Sequence, residues 1–77
     1  MGEPEGVDDT ASFDTASFDS VFAAEYVGLV RVATALCGDV GLAEEVTQEA
    51  FAAAWSRWAS LDRPGAYVQR AVVNGVT

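Results

Sequence analysis

The feature that most constrains this chain is the spacing of its apolar residues between Phe22 and Cys37. Phe22, Tyr26, Leu29, Val30, Ala33, Leu36 and Cys37 fall at i, i+4, i+7, i+8, i+11, i+14 and i+15. That is one stripe with the period of an amphipathic helix. A half-buried strand would need alternation, and no segment here alternates convincingly. The stripe predicts a first helix over about 20–37. Asp19 or Ser20 can cap its start, because their side-chain oxygens accept from the free N–H groups of a first turn. Gly38 suits the position just past its end, where the backbone turns left-handed.

A second helix is predicted over about 41–60. Asp39 is placed to cap it, and Glu44 and Glu45 lie near the positive end of its dipole. At about 100° per residue, Leu42, Val46, Ala50 and Ala53 share one face, and Phe51, Trp55 and Trp58 form a second apolar ridge nearly opposite. Glu45, Gln48, Glu49 and Ser56 fill the remaining arc. Such a helix is expected at the centre of the fold, with both tryptophans in the core and one narrow polar strip outward. Leu61-Asp62-Arg63-Pro64-Gly65 reads as a turn, with Asp62 as a cap and Pro64 in a first helical turn. A third helix then runs from about 65 to the end. Val68 and Val72 mark its apolar line, and Tyr67, Arg70 and Asn74 its neighbouring face. The expected fold class is all-α, a compact bundle of three helices over residues 20–77.

Residues 1–19 lack that periodicity. They hold six acids and no base, with Gly, Pro, Ser and Thr between, and predict a flexible, acidic, low-order tail. The chain's net charge of −8 is therefore concentrated at one end, since residues 20–77 carry six acids against four arginines. The tail contains a tandem repeat, Thr10-Ala11-Ser12-Phe13-Asp14 and Thr15-Ala16-Ser17-Phe18-Asp19. Two copies are too few for a repeat architecture. It reads as a short duplication in a tolerant segment, in preference to a pair of Phe anchors or an acidic mimic of DNA phosphates. Exposed Phe13 and Phe18 would favour self-association.

No uninterrupted apolar run approaches the roughly 18 residues of a membrane helix. The acidic N-terminus also lacks the apolar stretch of a signal peptide. The expectation is a cytoplasmic protein without membrane insertion. One cysteine, Cys37, and no histidine exclude an internal disulfide and a Cys/His zinc cluster, so no metal or cofactor is expected. Carboxylates are the only catalytic groups left, and Glu44, Glu45 and Glu49 read as solvated. The chain is not expected to be an enzyme.

The stretch Gly38-Asp39-Val40-Gly41-Leu42-Ala43-Glu44-Glu45-Val46-Thr47-Gln48-Glu49-Ala50-Phe51 is followed by Ala54-Trp55 and Trp58. Then come Arg63-Pro64-Gly65-Ala66-Tyr67-Val68-Gln69-Arg70 and Val72-Val73-Asn74. In order and spacing these resemble conserved region 2 of extracytoplasmic-function sigma factors, a subfamily of the sigma-70 family. The likeness covers about 20–77, and its strength lies in several short motifs in the right order. It implies a transcription initiation domain whose acid-and-glutamine helix docks on the clamp helices of the RNA polymerase β′ subunit. It further implies that the turn after that helix, with the third helix, recognises and melts the promoter minus-ten element and holds the non-template single strand. The implied polymerase-binding residues are Glu45, Gln48 and Glu49. The implied DNA-binding residues are Arg63, Arg70 and Asn74. An anti-sigma factor is implied as a further partner.

The residue chemistry agrees with those roles. An acidic strip suits arginines on a partner helix, and Gln48 supplies both donor and acceptor. Arg binds phosphate bidentately, and Asn can pair with a base edge. The family pattern continues beyond the matching Asn with an acid and a run of arginines, so a C-terminally truncated region 2 is expected. DNA binding should be weak, with three arginines answering to about three phosphates and an acidic tail opposing them. The alternative is a helical protein-interaction module that docks on polymerase or an anti-sigma factor without DNA activity of its own.

Overall fold

The computed structural model describes residues 9–77, with side chains from residue 14 onward; expectations for residues 1–8 and for the Phe13 side chain lie outside the described residues. Three helices follow in order: α1 Asp9–Cys37, α2 Val40–Trp55 and α3 Pro64–Val76. A single 3-10 turn, Trp58–Ser60, sits in the link between α2 and α3. No strand occurs among the described residues. The all-α, three-helix architecture is the one the periodicity predicts.

Two adjacent residues fold α2 back onto α1. Gly38 takes φ +76, and its N–H donates to the Thr34 carbonyl at 2.7 Å, closing α1 as a glycine just past a helix end does. Asp39 follows in extended conformation and its Oδ1 accepts from the Leu42 N–H at 3.1 Å, capping α2. At the other junction Pro64 opens α3, where its missing N–H costs nothing. Asp62 is not the cap there. Arg63 holds the capping position, and no side chain bonds the first turn.

The core is assembled from all three helices. It holds Leu29 and Ala33 of α1, Ala43, Ala50, Phe51 and Ala54 of α2, Trp58 of the link, and Val68 and Val72 of α3. Thr47 is buried among them, and its hydroxyl donates to the Ala43 carbonyl at 2.7 Å, so its polarity is satisfied within its own helix. The small residues of α2 let its neighbours approach closely. On α3, Gly75 faces Val46 closely enough that an added Cβ would stand 2.6 Å from Val46 Cγ1.

Three sequence expectations are corrected. First, α1 begins at Asp9, so residues 9–19 belong to a helix and not to a low-order tail. Phe18 of the second repeat is half-buried, with ring centroids 5.0 Å from Trp58, 5.1 Å from Trp55 and 5.9 Å from Phe51, all edge-to-face. Ser17 Oγ accepts from the Trp58 indole N–H at 3.4 Å. Contacts with residues about forty positions away stabilise a helix that local composition does not favour. Second, α2 stops at Trp55 and not near 60, because the chain breaks at Ser56 and Arg57 to turn Trp58 inward.

Third, the buried line of α2 runs through Ala43, Thr47, Ala50, Phe51 and Ala54, one position round from the predicted Leu42–Val46–Ala50–Ala53 line. Leu42 is exposed, and Trp55 is 46% exposed while Trp58 is buried. By length and composition alone, the residues Asp14–Cys37 of α1 form a helix of 24 residues that could cross a membrane. The count of uninterrupted apolar residues misses it because Asp14, Asp19, Glu25 and Arg31 punctuate the segment.

Candidate functional site

The roll of α3 is fixed by Val68 and Val72, whose side chains are fully buried. That orientation turns Arg70 and Asn74 outward. Ala66, Gln69, Arg70, Val73 and Asn74 line one shallow depression on the surface. Leu61, Asp62, Arg63, Ala66, Tyr67 and Arg70 line a second. Ala66 and Arg70 belong to both, so the three residues predicted to bind DNA, Arg63, Arg70 and Asn74, lie along one continuous exposed face. Neither the Arg63 nor the Arg70 guanidinium forms a hydrogen bond or ion pair with another described residue. Both are therefore available to an anion.

Tyr67, in the second depression, meets a residue that periodicity does not connect to it. Arg57, from the break after α2, stands over the Tyr67 ring at 5.7 Å from its centroid. This is a cation–π contact, which adds positive potential beside the ring. Ten positions and a helix break separate the two residues, so no helical spacing predicts their meeting. The signal that could have found them is compositional: three of the four arginines fall between residues 57 and 70, with a Tyr among them. A half-buried aromatic ring among guanidinium groups can stack a base while the arginines hold phosphates.

The polar strip of α2 emerges as predicted, with Glu45, Gln48 and Glu49 all exposed. Gln48 is partly engaged, since its Nε2 donates to the Tyr26 hydroxyl at 3.2 Å and so ties α2 to α1. Its amide oxygen and the two carboxylates remain as acceptors for a partner's donors. Gln69 makes the matching tie from α3, donating to Glu25 of α1 at 3.4 Å. The two groups of predicted site residues thus stand on different helices, each held by polar contacts to α1 or by buried valines.

A further groove lies where the start of α1 crosses the end of α2, lined by Asp14, Thr15, Trp55, Ser56, Arg57, Trp58, Ala59 and Ser60. It exists because α1 extends past residue 20, and it carries both an acid and an arginine. No group of three or more metal-ligating side chains occurs among the described residues.

The family model for sigma-70 region 2 matches residues 21–77. The match starts inside α1 and takes in α2, the link and α3, with every residue of the α3 face and of the α2 strip. No curated protein and no solved structure matches the chain.

Proposed function

The chain belongs to the sigma-70 family through its region 2, and on that premise we propose that it is region 2 of an extracytoplasmic-function sigma factor. Region 2 is the part of a transcription initiation factor that binds RNA polymerase and recognises the promoter minus-ten element, a regulatory and not a catalytic role. In this reading the α2 strip of Glu45, Gln48 and Glu49 docks on the clamp helices of the polymerase β′ subunit. The α3 face, with Arg63, Arg70 and Asn74, holds the non-template strand as the duplex opens. The observation that carries the reading is that Arg63, Arg70 and Asn74 line two adjoining depressions that share Ala66 and Arg70, with Tyr67 in one of them and Arg57 over its ring.

The physical division of labour is straightforward. Carboxylates on α2 steer toward basic groups on a partner and repel DNA, so that strip suits a protein surface. The α3 face has the opposite sign and carries a stackable ring, so it suits a single strand, whose bases present their faces only when unpaired. An anti-sigma factor is proposed as a second protein partner, supported by the exposed apolar residues Val27, Val32 and Leu36 of α1. The proposed location is the cytoplasm, where promoters and polymerase are found.

Capture of core RNA polymerase, and of an isolated β′ clamp-helix fragment, tests the docking face. Glu45→Arg combined with Glu49→Arg reverses the strip and leaves the Gln48–Tyr26 bond in place. The parent should retain polymerase and the folded double variant should lose it. A folded parent that retains neither target would refute the docking assignment. The excess of acid, twelve acidic residues against four arginines, favours a second reading: a protein-docking module without DNA activity. Under that reading polymerase capture persists while no single strand binds.

A further inference from the structure

The two tryptophans have opposite surroundings. Trp58 is buried, and its indole N–H donates to Ser17 at 3.4 Å. Trp55 is 46% exposed, and its indole N–H finds no acceptor among the described residues. An aromatic side chain left open with a free donor is the type that anchors protein contacts. Trp55 forms one wall of an open depression whose other walls are Thr15, Phe18, Asp19 and Ala52. Thr15, Phe18 and Asp19 come from α1 before residue 21, where the match to the sigma-70 region 2 model begins. The depression is therefore a feature of this chain and not of the family pattern.

The lining fixes the chemistry of the occupant. Phe18, Ala52 and Trp55 offer apolar contact, with the Phe18 ring 5.1 Å from that of Trp55. Asp19 is the one charged group in the depression. It is exposed, and its carboxylate makes no hydrogen bond or ion pair with another described residue. Asp14 lines the neighbouring groove, which shares Trp55, and the arginine of that groove, Arg57, has its guanidinium over Tyr67. Residues 1–19 carry six acids and no base, so the local field attracts cations. A side chain with an apolar stem and a cationic head fits this set. Its stem lies along Phe18 and Ala52, and its head covers the indole and pairs with Asp19. Arginine suits both contacts, because its planar guanidinium stacks on aromatic rings and pairs with carboxylates. The free indole N–H suits a backbone carbonyl, which a peptide supplies and a simple amine does not.

We propose that the depression between Trp55 and Asp19 is a docking site for a basic peptide segment of a partner protein, with an arginine seated on Trp55. The site stands whether or not the α3 face binds DNA. A fluorescein-labelled peptide of alternating arginine and glycine is the probe, and anisotropy at low ionic strength is the readout. The parent chain should bind it, and the same peptide with citrulline in place of arginine should not bind. Asp19→Asn should weaken binding about two- to five-fold, as the loss of an exposed ion pair does. Trp55→Ala leaves the net charge unchanged and should weaken binding about three- to ten-fold through loss of the cation–π contact. Trp55→Phe, which keeps an aromatic ring against Phe18, should fall between parent and Trp55→Ala. Glu44→Gln removes one exposed charge at the opposite end of α2 and should leave the affinity within about two-fold of the parent, since screening confines exposed charges to their surroundings. Equal losses from Asp19→Asn and Glu44→Gln, or parent affinity in folded Trp55→Ala and Trp55→Phe, would mean a general attraction to an acidic chain and overturn the proposal. Absence of binding by the folded parent overturns it as well.

Discussion

Replacing Phe18 by Ala tests whether the first residues of α1 belong to the folded domain. Full removal of a buried Phe side chain costs about 3–5 kcal/mol. Phe18 is half-buried, which scales the loss to about 2 kcal/mol. Its three edge-to-face contacts, at 5.0, 5.1 and 5.9 Å, add to that, since such pairs contribute about 0.5–1.5 kcal/mol beyond their area. The expected loss is therefore about 2–3 kcal/mol. A chain of this length has a total stability of roughly 4–11 kcal/mol, so the variant gives up a large share of it. Thermal unfolding followed by circular dichroism should show Tm falling by at least about 8 °C. Tryptophan emission should shift to the red as Trp58 loses its cover. Ala16→Ser, at an exposed position of the same segment, should stay within about 0.5 kcal/mol of the parent. A Phe18→Ala variant as stable as Ala16→Ser would refute the packing of this segment on the tryptophans and return residues 9–19 to a detached tail.

Gly75→Ala should destabilise the chain by about 1 kcal/mol, because an overpacking cost of about 1–3 kcal/mol outweighs the helix gain of about 0.5–1 kcal/mol. The new methyl would meet Val46 Cγ1 at 2.6 Å, and a Val side chain in a helix has little rotameric freedom to yield. In a Val46→Ala background the same substitution should become neutral or stabilising in urea unfolding; an unchanged penalty there would place the clash elsewhere. Asp39→Ala should cost about 1 kcal/mol by removing the cap on Leu42 N–H. A urea midpoint unmoved by that change would mean that the cap adds nothing in solution.

Much of this protein is legible in the sequence, and the legible parts share a property: they depend on neighbours within one or two helical turns. Gly38 and Asp39 declare the end of α1 and the start of α2 by their own backbone preferences. Val68 and Val72 fix the inward side of α3, and with it the outward side that carries Arg70 and Asn74. Glu45, Gln48 and Glu49 are exposed because no large apolar residue falls within their arc, which they share with Gly41 and Ala52. The motif order that marks sigma-70 region 2 is likewise a property of the linear chain.

What the sequence leaves open depends on residues far apart. α2 is apolar on nearly every side, so periodicity alone cannot choose which side buries; packing selects the line of small residues, Ala43, Thr47, Ala50 and Ala54, and leaves Trp55 exposed. The extension of α1 past residue 20 looks polar and unstructured by composition, and becomes helix through Ser17 and Phe18 against Trp58. The stacking of Arg57 on Tyr67 follows from a helix break whose position depends on where Trp58 can be buried. Local backbone chemistry determines where helices begin and end, because its energies act within a turn. Which faces meet is decided by burial summed over the whole molecule, and only the tertiary structure carries that sum.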